Sequence, residues 1–404
     1  MRSPEVNRHR FLSLRLRIER YRLAWLAVLL AVSLAGCQSL PGLLSRGPQF
    51  EFVFIGQQVL PPGYRYAGTM VGGLSGIDFD AATGRYWAIS DDRSEFGPSR
   101  FYELSLDLAQ FNKSAAPGYA GVIINGVQTL KRLDGSTFSD ARIHPAQAAD
   151  PEAIRVHGPS GRLVWSSEGE RIVKAGEPPV LVNPHVWEMQ RDGTLLRPFV
   201  IPSKFHTSAA NRGIRRNLAF EGLAFTPDFA TLYVMTENAL LQDGPAATLT
   251  KSSPSRLLAL DYKSGLPRAE YVIDVSPIPQ APTQTVGYSD NGIPEILALD
   301  HERLLVLERS YVAGAGITLK LFLVDLRGAT DVSGFDSLTA QKYISATKRL
   351  LLDFKTLGVR LDNTEGMTWG PRLPGGSRSL ILVSDDNFNP QQITQFLAFE
   401  VRER

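Results

Sequence analysis

The sequence predicts an all-β chain, folded as a β-propeller of four-stranded blades and closed into a ring by its N-terminal strand. Three observations lead there. Five segments echo one another: GGLSGIDFD…RYWAISDDRS from Gly72, DPEAIRVH…RLVWSSEGE from Asp150, AFEGLAFTPD…TLYVMTEN from Ala219, IPEILALD…RLLVLERS from Ile293 and NTEGMTWGP…SLILVSDDN from Asn363. The echoes start near Ser75, Glu152, Glu221, Glu295 and Glu365, at intervals of 77, 69, 74 and 70 residues. Repeats of that length are supersecondary units that bury their apolar faces only by stacking on neighbours. Finally, the last unit has room for only three strands, which leaves one place in the ring for a strand from the other end of the chain.

Each element follows from its pattern. In the third unit, strands are expected at 218–225, 231–235, 256–262 and 269–275, where β-branched and aromatic residues alternate with polar ones. Turn residues separate the paired runs: Ala82-Thr83-Gly84, Pro159-Ser160-Gly161, Arg191-Asp192-Gly193 and Pro227-Asp228. The third strand of the last unit falls at 394–401, and Phe50–Val59 supplies its fourth, removing the exposed edge of an open array. Five blades are visible. A sixth requires a divergent unit within 100–150 or 310–360. Residues 109–120 and 276–292 read as surface loops, and no amphipathic helical pattern of useful length follows residue 37.

The N-terminus has a different character. Seven Arg lie in the first 22 residues, an apolar run follows from Leu23 to Ala35, and the chain then reads Leu34-Ala35-Gly36-Cys37. A basic head and a short apolar stretch ending in small residues make a secretory signal, too short to be a spanning helix. The last four residues resemble a bacterial lipobox, which implies lipidation of Cys37, the sole cysteine of the chain. Gln38 follows in place of Asp, which by analogy favours outer-membrane anchoring. The expected organisation is a signal peptide at 1–36, a lipidated tether at 37–49 and a propeller at 50–404, carried on the bacterial cell envelope. Loss of 1–36 removes seven Arg and two Glu and moves the net charge from +2 to −3. No basic excess remains for nucleic acid. One cysteine allows neither an internal disulfide nor a cysteine metal cluster.

The five pieces, taken in order, resemble the bacterial family called phytase-like, or esterase-like activity of phytase. The resemblance runs from about Gly72 to Val401 and implies hydrolysis of phosphate or other esters.

The first strand of each unit is expected innermost, with the second returning antiparallel to it. Entry residues (Ser75, Glu152, Glu221, Glu295, Glu365) and exit residues (Asp91 and Asp92, Glu168 and Glu170, Glu237, Glu308, Asp385 and Asp386) then gather at one end of the ring. Crowded carboxylates raise one another's pKa unless a cation neutralises them, and an oxygen-rich ring suits Ca²⁺. The candidate metal ligands are Asp91, Asp92, Glu168, Glu237, Asp385 and Asp386. Glu221 and Glu365 are the candidate catalytic groups, one of them as general base. Arg93, Arg216 and Asn217 are candidate substrate-binding residues, with pairing to the acids the competing role for the arginines. The irregular first and fourth units place the site off the axis.

Other chemistries fail on spacing. Ser75 in Gly-Gly-Leu-Ser-Gly-Ile lacks the second glycine of a nucleophile elbow and enters a strand. No R-H-G-x-R-x-P, P-loop or dinucleotide fingerprint occurs. The histidines show no metal spacing, and His144, His157 and His185 read as surface residues. Trp87, Trp165, Trp187 and Trp369 read as blade core. The expectation is a monomeric, membrane-tethered hydrolase of small phosphoesters or other esters that uses Ca²⁺. The alternatives are a non-catalytic scaffold propeller of the envelope or a Ca²⁺-dependent lactonase-like enzyme.

Overall fold

Five antiparallel four-stranded sheets account for nearly all regular structure in the computed structural model, which describes residues 49–284 and 286–403. The expected signal peptide, Cys37 and most of the expected tether lie outside the described residues. From the inside outward, blade one is Leu74–Asp80, Arg85–Ser90, Arg100–Leu106 and Val122–Thr129. Blade two is Pro151–His157, Arg162–Ser167, His185–Met189 and Leu195–Pro198, with a small hairpin, Glu170–Ile172 and Val180–Val182, between its second and third strands. Blade three is Phe220–Phe225, Thr231–Thr236, Ser253–Asp261 and Pro267–Val275. Blade four is Gly292–Ala298, Arg303–Val312, Gly316–Asp325 and Thr347–Asp353, so 310–360 holds its outer strands and no sixth unit. Blade five is Asn363–Arg372, Arg378–Asp385, Gln395–Glu403 and, outermost, Phe50–Val59.

The closing strand pairs antiparallel with Gln395–Glu403 from Phe50↔Glu403 to Val59↔Gln395. A bulge between Phe54 and Gly56 lets the blade-one loop cross it closely: a Cβ on Gly56 would lie 2.4 Å from the Asn112 backbone nitrogen. Gln57 N–H donates to the Asn112 carbonyl at 2.8 Å, so the closing strand is tied to the first blade as well as the last.

Five hydrophobic cores sit at the five junctions between neighbouring blades. Ile77, Tyr86 and Ala88 pack on Ile381 and Val383 between blades one and five. Trp87 and Ile89 meet Ile154 and Trp165 between one and two. Val164 and Val186 meet Leu223 and Val234 between two and three. Met235 and Leu257 meet Ile296 and Val306 between three and four. Leu305 and Leu321 meet Met367 and Leu382 between four and five. No blade buries its faces alone, the physical reason the repeat closes into a ring. The turns between first and second strands are held locally: the Asp80 carboxylate accepts from Ala82 N–H at 3.0 Å and from the Thr83 hydroxyl at 2.9 Å.

The centre of the ring is filled by one side chain. The Arg155 guanidinium donates to the carbonyls of Ile77, Ile154, Leu223, Ile296 and Met367, one from each inner strand. Its charge is matched by Glu295, Nη2 to Oε2 2.5 Å, with both side chains almost fully buried.

Two histidines expected at the surface are packed inside. The His157 ring stacks on Tyr262 with centroids 3.8 Å apart, and His185 stacks on Trp187 at the same separation. Burial pushes the His185 imidazole down to about 3, so it is neutral at any ordinary pH. The only helices among the described residues are four short 3₁₀ turns, none long and apolar enough to cross a membrane.

Candidate active site: an acid-lined mouth

Strand register places the acids. Ile77, Ile154, Leu223, Ile296 and Met367 pair with Ala88, Trp165, Val234, Val306 and Leu382 on the second strands. Moving the same distance along each second strand reaches Asp91, Glu168, Glu237, Arg309 and Asp385. Moving back along each first strand reaches Ser75, Glu152, Glu221, Pro294 and Glu365. The fourth blade therefore departs from the expected pattern twice. Glu295 stands one place further along its strand than the entry residues of the other blades, at the position of Gly76, Ala153, Gly222 and Gly366; the bulge beside it is common to all five inner strands. Instead of lining the mouth, Glu295 reaches Arg155. Its exit acid is displaced as well. Glu308 occupies the column of Ser90, Ser167, Thr236 and Ser384, where it is buried, paired with Lys348 and bonded by Ser276 N–H at 3.0 Å. Arg309 takes the place of the acid.

Arg309 is the cation of the mouth. Its guanidinium meets Glu237 at 3.2 Å, Glu365 at 3.1 Å and Asp290 at 3.1 Å. Asn363 Nδ2 donates to Glu365 Oε1 and Asp385 Oδ2, each at 3.0 Å. Across the mouth, Asp150, Glu152 and Glu168 offer ligand oxygens that all lie within 4.8 Å of one another, and all three residues are buried. Arg93 closes that side, 2.7 Å from Glu170 and 3.5 Å from Asp150.

Eight carboxyls of the mouth titrate above their ordinary range, and burial is the leading cause for each. Glu152 is held well above it by burial and then by Glu221, Asp150 and Glu168. Burial raises Glu168 to about 7, although its hydrogen bonds with Glu221 and Ala219 N–H pull it down. Burial carries Asp150 to about 8 against the pull of Arg93. Glu221 is pushed well up by burial and the charge of Glu168. Glu237 and Glu365 are raised by burial, with Arg309 opposing. Asp91 and Asp385 are raised by burial and by their acidic neighbours, Asp385 and Glu365 respectively foremost. Two arginines, Arg93 and Arg309, face this excess of negative charge from within.

The residues expected to line the site therefore separate. Asp91, Glu168, Glu237 and Asp385 face the mouth, as do Glu221 and Glu365. Asp92 instead holds Arg100 at 2.5 Å and accepts from Glu95 N–H and Phe96 N–H. Asp386 accepts from Gly73 N–H, Phe388 N–H and the Thr394 hydroxyl. Both are engaged in holding loops. Arg93 and Arg216 both clamp Glu170, Arg216 at 3.0 Å from an exposed position on the rim. Asn217 is exposed and left-handed, with φ of 57°, a turn residue before the third inner strand. Asp150 opens the second echo but was not among the expected ligands, which were drawn from the strand exits. The charge of Arg155, set between Ile154 and Val156 in a fully buried strand, was a readable signal of a partner in the ring.

A family profile described as "Phytase-like: Esterase-like activity of phytase" matches residues 69–388. No curated protein matches the chain. Among solved structures, a protein of unknown function from Dyadobacter fermentans DSM 18053 is similar at 11% identity, covering 87% of this chain and 99% of that one, with a TM-score of 0.38. A gluconolactonase from Xanthomonas campestris is similar at 13% identity, covering 86% and 97%, with a TM-score of 0.32. At such identities and scores, nothing about the chemistry of this chain follows from either.

Proposed function

The chain belongs to the phytase-like family, and from that premise we propose that its acid-lined mouth binds a divalent, Ca²⁺-like cation and hydrolyses phosphomonoesters or other esters. The observation that carries the reading is the Asp150, Glu152 and Glu168 triad, with three buried ligand oxygens within 4.8 Å. The donor set fits the ion: every ligand is a hard carboxylate oxygen, as Ca²⁺ prefers. The electrostatics fit too. Burial and mutual repulsion hold these groups protonated or uncompensated, and a bound dication relieves both.

In this reading Asp150, Glu152 and Glu168 hold the ion, which when bound supplies Lewis acidity and a more acidic water. Glu221 faces the mouth beside the triad, next to Glu168. Glu365, oriented by Arg309 and Asn363, faces the mouth from blade five as a proton acceptor. Its raised pKa brings it nearer neutrality, where a general base works best. Arg93 and Arg216 at the rim attract an anionic substrate and pair with Glu170 without one. Lipidation at Cys37 would tether this activity to the bacterial envelope.

The test is turnover of p-nitrophenyl phosphate, p-nitrophenyl acetate and phytate, each with added Ca²⁺ or EDTA, in the wild type and in Glu152→Gln. Turnover that requires the metal and falls at least tenfold in the variant supports the reading. Absence of metal-dependent turnover on all three sinks it.

A further inference from the structure

Beside the acids stands a feature that the hydrolytic groups do not use. Phe96 and Phe388 stack with ring centroids 4.5 Å apart and planes inclined by 19°. Neither belongs to the five interblade cores, and Phe96 is 53% exposed. Their position is fixed by Gly73: a Cβ there would fall 2.1 Å from Asp91 Oδ1 and 2.7 Å from the Phe388 ring. The ring and the mouth acid thus share the space left by one missing side chain.

The pair is held by the same groups that fix the two loops carrying it. Asp92 accepts from Phe96 N–H at 3.1 Å and holds Arg100, whose guanidinium lies 5.7 Å from the Phe388 centroid. Asp386 accepts from Phe388 N–H at 3.1 Å and from Gly73 N–H at 2.9 Å. Asn387 and Phe388 are both left-handed, with φ of 47° and 50°, and Ser94 in the facing loop has φ of 61°. Consecutive non-glycine residues in that region are strained, and such strain persists where surrounding contacts impose it. Two buried or part-buried carboxylates, a buried arginine and strained backbone hold the half-buried Phe388 against Phe96, whose ring is left open to water where apolar burial alone would not leave it.

We propose that the Phe96–Phe388 pair is a stacking shelf for a planar aromatic group of the ligand, held with the reacting bond over Asp91 and the neighbouring acids. The ligand class is an aryl ester or aryl phosphoester. Phenylalanine faces offer stacking and no hydrogen bond, which suits an aromatic ring better than a polyol. The word "ester" rests on the reading of the mouth given above; the shelf itself does not.

The experiment is a ligand-observed NMR titration of the purified protein with 2-naphthol and, separately, with myo-inositol. Phe96→Ala and Phe96→Trp are compared with the wild type, and all three are checked for equal thermal midpoints. The expected result is 2-naphthol binding that weakens about fivefold in Phe96→Ala, the range of one lost aromatic stack, and returns in Phe96→Trp, with no Phe96-dependent binding of inositol. Failure of 2-naphthol to bind, equal binding by Phe96→Ala, or inositol binding with the same dependence on Phe96 overturns the proposal. Phe96-dependent naphthol binding in a protein that turns over no ester keeps the shelf and rejects the hydrolase.

Discussion

Arg155 Nη2 lies 2.5 Å from Glu295 Oε2 at the centre of the ring, and the same guanidinium binds one carbonyl from every blade. A charge taken so far from water is tolerated because every donor direction finds an acceptor. Removing one partner strands the other.

Arg155→Met should therefore destabilise the protein by about 3–5 kcal/mol, the cost of leaving a buried carboxylate unpaired. Glu295→Gln should cost less, because five carbonyls still receive the guanidinium. Urea midpoints decide; equal stability of Arg155→Met and wild type would show that the centre is not a keystone.

Without metal, stability should fall as pH rises from about 5 to 8. The mouth carboxyls hold protons in the folded state that the unfolded chain releases near its ordinary carboxylate value of about 4. Their contribution is full below that value and is lost on passing about 7 for Glu168 and about 8 for Asp150. Thermal midpoints in EDTA across this range check the sign, and a rising midpoint would refute it.

Added Ca²⁺ should reverse that slope, since the ion binds deprotonated ligands. At a thousandfold excess over its Kd, the gain is about 4 kcal/mol. Glu152→Gln should raise the metal-free midpoint at pH 8, by deleting one crowded charge, and abolish most of the Ca²⁺-induced rise. Differential scanning fluorimetry with a Ca²⁺ titration reads both effects in one plate.

Asp92→Ala should separate the two classes of acid. It leaves Arg100 buried without its carboxylate and should lower stability by about 3 kcal/mol, while Ca²⁺ affinity measured by calorimetry stays within about twofold of wild type. A large loss of Ca²⁺ binding would return Asp92 to the ligand set.

The architecture was legible because its signals are local and repeated. The second strands RYWAIS, RLVWSS and TLYVMT announce themselves by composition, and the closing strand Phe50–Val59 was implied by the short fifth unit. The site was legible only in outline. Aligning the units on glutamate placed Glu295 and Glu308 at the mouth; aligning on the hydroxyl residue before the acid (Ser90, Ser167, Thr236, Ser384) would have put Glu308 in that column and shown Arg309 among the acids. Pro294-Glu295 stands where the other units read Ser75-Gly76, Glu152-Ala153, Glu221-Gly222 and Glu365-Gly366, and a one-place offset turns a side chain to the other face of a strand. Asp92 and Asp386 look like Asp91 and Asp385 in sequence. Only the fold shows that one pair faces the mouth and the other holds loops.

The guanidinium at the centre also sets the traffic. With the channel stoppered by Arg155, the acid-lined chamber is a dead end, and whatever enters must leave by the same door. Product must clear the mouth before the next substrate can enter.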